Sequence, residues 1–236
     1  MEPCLLAIDT STERMALALS WPGGRLTRVE DGGAAASGRL LPAILQMFGE
    51  AGLGMDRLDA IAFGAGPGAF TGLRTACAVA QGLALARDKP VLPLDSLMLV
   101  AEDAALQAGV GTSLWVAMDA RMNEVYAAEY ARRGAGWAVL TAPALYTLPA
   151  LAERWSVVPP QCVAGSAVSA FAGHLPFGTA RLVAVERDRA VALAALAADA
   201  WARGLGVPPD QAMPLYLRDK VALTTEERAR AAAARA

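Results

Sequence analysis

The sequence predicts an α/β protein, and three observations predict it. Apolar runs of strand length, bounded by polar or Gly/Pro turns, open the chain. A further strand meets the glycine-rich stretch Gly64-Ala-Gly-Pro-Gly-Ala-Phe-Thr-Gly-Leu-Arg74 and continues as a long apolar helix. A second set of strands follows a turn-rich break at Gly109-Val-Gly-Thr112. At 236 residues the chain has room for one large domain or two small lobes.

Cys4-Leu-Leu-Ala-Ile-Asp9 reads as a buried strand and Met15-Ala-Leu-Ala-Leu-Ser20 as its neighbour, joined by the polar turn Thr10-Ser-Thr-Glu13. Trp21-Pro-Gly-Gly24 turns the chain into a third, more polar strand, Leu26 to Glu30, which completes a meander. From Ser37 to Gly52, apolar residues fall at Leu40, Leu41, Ile44, Leu45, Met47 and Phe48, a helical spacing with a wide stripe. Pro42 predicts that the regular helix begins near Leu40 or Leu41. Leu58 to Phe63 is a strand that leads into the glycine stretch.

Glycine reaches backbone angles closed to other residues, so a strand can turn abruptly into a helix there. Thr71 is the expected N-cap, and Gly68 and Gly72 leave room for a second backbone, a phosphate or a partner chain. The spacing is neither Gly-x-Gly-x-x-Gly nor a phosphate loop closed by Lys-Ser/Thr. A tight turn without ligand therefore stands beside a ligand-binding loop. The helix from Thr71 to Arg87 carries Leu73, Ala76, Cys77, Val79, Ala80, Leu83 and Ala84 around most of its circumference. Such a helix is buried, within its own chain or against a partner.

Lys89-Pro90 ends that helix, Val91 to Leu94 is a short strand, and Asp95 or Ser96 caps a helix to about Gln107. Gly109 to Thr112 marks the lobe border. Leu114 to Met118 and Glu124 to Tyr130 read as strands flanking the turn Asp119-Ala-Arg-Met-Asn123, with a further strand at Trp137 to Leu140. Leu148 to Arg154 reads as a helix and Cys162 to Ala164 as a strand. Asp188 to Arg203 is an Ala-rich helix and Met213 to Arg218 is extended. The tail from Thr224 to Ala236 has only alanine for an apolar stripe and is expected to fray.

Composition narrows the function. Hydrophobic residues make up 55% and charged residues 19%, and mean hydropathy is +0.35. No run nevertheless reaches the roughly 18 apolar residues of a membrane span, and alanine supplies much of the excess. Glu2 and Asp9 argue against a signal peptide, so the cytoplasm is the expected compartment. Three scattered cysteines, Cys4, Cys77 and Cys162, form no metal pair or disulfide framework. A net charge of −2 provides no basic field to hold nucleic acid. His174 is the only histidine and sits in a loop-like context. One histidine excludes His-rich zinc chemistry, and the Gly-x-Ser-x-Gly elbow of a serine hydrolase is absent.

Two clusters could carry chemistry. Asp9-Thr10-Ser11-Thr12 ends the first strand; a carboxylate followed by hydroxyls can position a magnesium-bound phosphate, or simply make a turn. Asp119, Arg121, Glu124 and Tyr126 gather around one turn, where Asp119 and Arg121 either clasp each other or face a cleft. The order of strands, Asp-Thr-Ser turn, helix and glycine loop resembles the actin, Hsp70 and sugar-kinase superfold, which is ribonuclease H-like. Two lobes with mixed sheets flanked by helices are then expected, with a nucleotide between them.

Five blocks in order sharpen the resemblance: Leu6-Ala-Ile-Asp-Thr-Ser-Thr12, Gly66-Pro-Gly-Ala-Phe-Thr-Gly-Leu-Arg74, Ala80-Gln-Gly-Leu-Ala84, Met118-Asp-Ala-Arg-Met-Asn-Glu-Val-Tyr126 and Pro214-Leu-Tyr-Leu-Arg218. Together they resemble the TsaB (YeaZ) family. The resemblance implies an N-terminal lobe over 1–109, a C-terminal lobe over 110–220 whose end returns to the first, and a tail over 221–236. It implies a non-catalytic subunit in threonylcarbamoyladenosine modification of tRNA, which binds and activates the transferase TsaD together with the ATPase TsaE. It further implies a homodimer when TsaD is absent, and contact with tRNA only through the complex. The implied interface comprises Leu40, Leu41, Ile44, Leu45, Phe48, Phe70, Leu73, Arg74, Cys77 and Ala80. Asp9, Thr10, Ser11, Gly66 and Gly68 would form a weak or degenerate nucleotide site. The resemblance implies no tightly bound cofactor, with ATP or ADP held at most weakly at the TsaD junction. Relatives often carry histidine just before the Ser37 helix, where this chain has Ala36. A small-molecule kinase of the same superfold is the alternative, and a metallopeptidase a third reading that the single histidine argues against.

Overall fold

The computed structural model describes residues 2–108, 113–134 and 136–218. The expected lobe border at Gly109 to Thr112 and the expected fraying tail lie outside the described residues. The N-terminal half holds β1 (Leu5–Asp9), β2 (Arg14–Trp21), β3 (Gly24–Asp31), α1 (Ala36–Ala51), β4 (Ala60–Gly66), α2 (Phe70–Arg87), β5 (Val91–Asp95) and α3 (Ser96–Ala108). The remainder holds β6 (Ser113–Asp119), β7 (Glu124–Arg133), β8 (Gly136–Thr147), α4 (Leu148–Val157), β9 (Cys162–Ala164), α5 (Ala167–Ala170), β10 (Arg181–Val183) and α6 (Arg189–Ala202).

Each half builds a five-stranded mixed sheet, ordered β3-β2-β1-β4-β5 and β10-β9-β6-β7-β8. The expected meander is present: β1 pairs antiparallel with β2, and β2 with β3. The strand before the glycine stretch, β4, then joins β1 in parallel, with Leu6 opposite Ile61 and Ile8 opposite Phe63. Alternation along β1 divides its side chains between two cores. Leu6 and Ile8 pack with Leu40, Ile44, Phe48, Ala76 and Ala80 of α1 and α2. Leu5 and Ala7 face the opposite way, into a cluster with α3, α6 and Val116, Ala128 and Tyr130 of the second sheet. The far face of that second sheet is covered by α4 and α5 through Leu151, Trp155 and Val168. The layers therefore run helix, sheet, helix, sheet, helix. The alanines of α6 lie in the central layer, where small side chains let α6 pack closely against α3 and the first sheet.

Two local expectations are corrected. Helix α1 begins at Ala36, six residues ahead of Pro42. The proline is accommodated inside the helix at the loss of one backbone bond to the preceding turn. Thr71 does not cap α2; Ala69 holds the N-cap position without a side-chain bond, and Thr71 lies inside the first turn. Among the other helices, Asp95 accepts from the Leu97 and Met98 amides and so caps α3. Thr147 and Asp188 cap α4 and α6 in the same way. The strand expected at Trp137 to Leu140 extends through Thr147. His174 is an exposed loop residue, and the three cysteines are buried and free.

Candidate functional site

The end of β1 meets the glycine stretch at a contact of unusual closeness. Thr10 donates its hydroxyl to the Gly72 carbonyl at 2.7 Å, and the Ala69 amide donates to the Ser11 carbonyl at 2.8 Å. A methyl group on Gly72 would lie 1.8 Å from the Thr10 carbonyl oxygen, and one on Gly64 would lie 1.7 Å from Asp9 Oδ2. These glycines are required because chain passes against chain there, leaving no space for a phosphate between them. Gly68 abuts Ser11 in the same contact.

Asp9 lies at the centre of this contact, with no solvent exposure. Its Oδ1 accepts from the Ser11 amide and hydroxyl and from Arg189 Nε, and its Oδ2 accepts from the Ser96 hydroxyl at 3.1 Å. Ser96 in turn accepts from the Gly66 amide. Arg189 stands at the first turn of α6 and also reaches the Ser11 hydroxyl, the Ser96 carbonyl and Glu186. Burial pulls the Arg189 guanidinium toward its neutral form, but Asp9 and Glu186 outweigh it and hold the group above its ordinary value. In the sequence Ser96 reads only as a candidate helix cap, and Arg189, opening an Ala-rich helix, does not stand out. The only cue was the position of Arg189 next to the Asp188 cap.

A cleft of about 590 Å³ opens beside this core, between the two sheets. Of the residues expected to hold nucleotide, Ser11 and Gly68 line it, whereas Asp9, Thr10 and Gly66 do not. Asp119 and Arg121 line it from the other side and also clasp each other, with 3.6 Å between Arg121 Nη1 and Asp119 Oδ2. The clasp is present, and the turn stands on the cleft wall. Glu124 faces Arg218 instead, at 2.6 Å from its Nη2. Among the described residues, no three His, Cys, Asp or Glu side chains stand together as a metal site. The fold implies a metal-bound nucleotide, and the Asp9 locus does not fit one: both carboxylate oxygens are bonded, and a guanidinium fills the cation's place.

The residues expected at an interface divide into two groups. Leu40, Ile44, Phe48, Leu73, Cys77 and Ala80 are buried within the chain's own core. Leu41 and Leu45 are 43% and 54% exposed on the outer face of α1, and Arg74 is exposed on α2, with Phe70 half-buried beside it. The sequence stripe looked wide because one side serves the core and the other does not. The segment after α6 crosses α2: Gln81 donates to the Pro209 and Ala212 carbonyls, and the Leu215 amide donates to the Ala65 carbonyl at 2.7 Å.

Two sheets of this order, flanked by helices and enclosing a cleft, define a two-lobed protein of the actin-like, ribonuclease H-like class. The pattern of the TsaD family, tRNA N6-adenosine threonylcarbamoyltransferase, matches residues 33–153. The Escherichia coli tRNA threonylcarbamoyladenosine biosynthesis protein TsaB is 34% identical over 92% of this chain and 96% of its own length. Its Haemophilus influenzae counterpart is 42% identical, over 54% of each chain. The structure of YeaZ from Pseudomonas aeruginosa superposes with a TM-score of 0.82 at 37% identity, over 92% of this chain and 100% of that one. A second Pseudomonas aeruginosa structure, of a protein described by its similarity to the peptidase YeaZ, gives 0.84 at 38% identity over the same shares. The chain belongs to the TsaB (YeaZ) family.

Proposed function

We propose that this protein takes part in the biosynthesis of threonylcarbamoyladenosine on tRNA, as a non-catalytic subunit that binds and activates a TsaD transferase together with the ATPase TsaE. The role in the modification rests on the family, through the near full-length relationship to E. coli TsaB. The non-catalytic reading is carried by one observation, the Asp9 carboxylate closed by Arg189, Ser11 and Ser96. A magnesium-bound phosphate at Asp9 would have to displace a buried guanidinium, so any nucleotide contact is weak and lies toward the TsaD junction. The exposed outer faces of α1 and α2 serve TsaD, or a second copy when TsaD is absent. Transfer RNA is reached through the complex, and the work is done in the cytoplasm. No helix among the described residues is long and apolar enough to cross a membrane.

The test is threonylcarbamoylation of tRNA by the matching TsaD, TsaE and adenylate-forming enzyme, with and without this protein. Strict dependence on the chain, with no activity of the chain alone, is the expected result. Modification that proceeds without it would overturn the assignment. Phosphoryl transfer by the isolated chain would favour a small-molecule kinase, and peptide cleavage a peptidase.

A further inference from the structure

The outer surface of α1 and α2 exposes Leu41, Pro42, Leu45 and Gly49 on α1 and Ala78 and Gly82 on α2, beside polar residues that include Gln46, Glu50 and Thr71. Arg74 stands on the same exposed side of α2, one turn before Ala78. Its guanidinium carbon lies 3.9 Å from the Phe70 ring centroid and 5.8 Å from that of Tyr216. The two rings pack against each other at 5.2 Å. Arg74 Nε donates to the Tyr216 hydroxyl at 3.0 Å, across 142 residues of sequence. Tyr216 is itself held in place by the Leu215 bond to Ala65. The Nη donors have no bond recorded among the described residues, and no carboxylate there lies within salt-bridge distance of Arg74.

An exposed arginine normally sweeps many rotamers and loses that freedom on binding. Stacking on Phe70 and the Tyr216 bond have already removed most of it. The planar fork is exposed, with no carboxylate paired to it among the described residues, and it suits bidentate recognition of a carboxylate. The neighbouring small residues let a partner helix come close enough for a short Asp or Glu side chain to reach it.

We propose that Arg74 is the polar anchor of the α1/α2 surface and receives a side-chain carboxylate of the partner protein. This rests on the TsaD-binding reading above. A protein carboxylate is favoured over RNA phosphate because the chain's net charge is −2, whereas phosphate backbones are held by many cations at once.

The experiment measures association of the full chain with its matching TsaD, for wild type, Arg74→Ala, Arg74→Lys and Arg74→Glu, from 50 to 400 mM NaCl (about the range over which screening changes most). Thermal melting verifies that each variant folds. Arg74→Ala should weaken binding by about thirtyfold, the level of an interface anchor. Arg74→Lys keeps the charge but loses the fork, and should fall between wild type and alanine. Arg74→Glu should bind worst, and its association should speed up with salt, whereas that of wild type slows. That reversal separates a charge contact from loss of packing on Phe70 and Tyr216. Equal binding by Ala and Glu variants, with no change of salt dependence, would overturn the inference while leaving TsaD binding intact. Absence of wild-type binding would overturn the reading beneath it and this inference together. The same series measured for tRNA binding, and for self-association by sedimentation, should be flat. A response confined to either one would assign Arg74 to phosphate or to a second copy and overturn the carboxylate assignment.

Discussion

Asp9 Oδ1 and Arg189 Nε, on residues separated by 180 positions, meet at 3.1 Å in a site closed to solvent. The first strand of the chain is thereby tied to α6. A buried pair of this kind adds little net stability over an apolar replacement, but breaking one side of it leaves a charge without a partner.

Arg189→Met should therefore cost about 3–5 kcal/mol, the usual penalty for stranding a buried charge. Asp9→Asn/Arg189→Met removes both charges and should recover a large part of the loss. Urea unfolding of the two single variants and the double variant supplies the cycle. Additive losses would show that the two groups do not act as a pair.

The glycines of α2 and its approach are not equivalent. Gly72→Ala forces a methyl group into the Thr10 carbonyl, and should destabilise by about 1–3 kcal/mol or more through overpacking. Gly82 is exposed in the same helix, with nothing within 4 Å of an added Cβ. Gly82→Ala should stabilise by up to about 1 kcal/mol from helix propensity. Melting temperatures moving in opposite directions are the expected outcome, and a fall in both would contradict the geometry.

The two sides of α1 should respond differently to charge. Leu41→Glu and Leu45→Glu place a carboxylate in solvent, so the protein should fold, fail to pair with TsaD and fail to support modification. Ile44→Glu buries the charge among Leu6, Ile8 and Phe63 and should not fold stably. Circular dichroism and size-exclusion chromatography with TsaD distinguish the two classes. Normal pairing by the folded Leu41→Glu protein would remove α1 from the interface.

Asp95 offers a pH signature. Burial raises its carboxyl above the ordinary range, against the lowering effect of the Tyr130 hydroxyl and the Leu97 and Met98 amides. A carboxyl whose folded value exceeds its unfolded value stabilises the fold at low pH, and that contribution is lost as pH rises through the folded value. Asp95→Asn keeps an acceptor for the cap and cannot ionise. The difference in unfolding free energy between wild type and Asp95→Asn should therefore move against wild type as pH rises from about 4, the unfolded aspartate value. A difference independent of pH would show that Asp95 is not shifted.

Local pattern determined much of this protein. Alternation and turn chemistry placed the meander of β1 to β3, helical spacing placed α1 and α2, and the Asp95 cap lay where the residue types put it. Five short motifs identified the family, and with it a two-lobed fold. These features are legible because they depend on residues near each other in sequence. What remained open depended on residues far apart. Whether Asp9 faced a ligand or an internal partner turned on Arg189, and no periodicity connects positions 9 and 189. Which leucines of α1 are core and which are surface turned on the sheet beneath the helix, since a stripe shows width but not what covers it. Thr71 looked like a cap because its type suits one, yet the chain entered the helix two residues earlier, where the Ala69 amide bonds Ser11. Long-range contacts settle such choices because a buried charge or close backbone contact costs several kcal/mol, more than any single local preference.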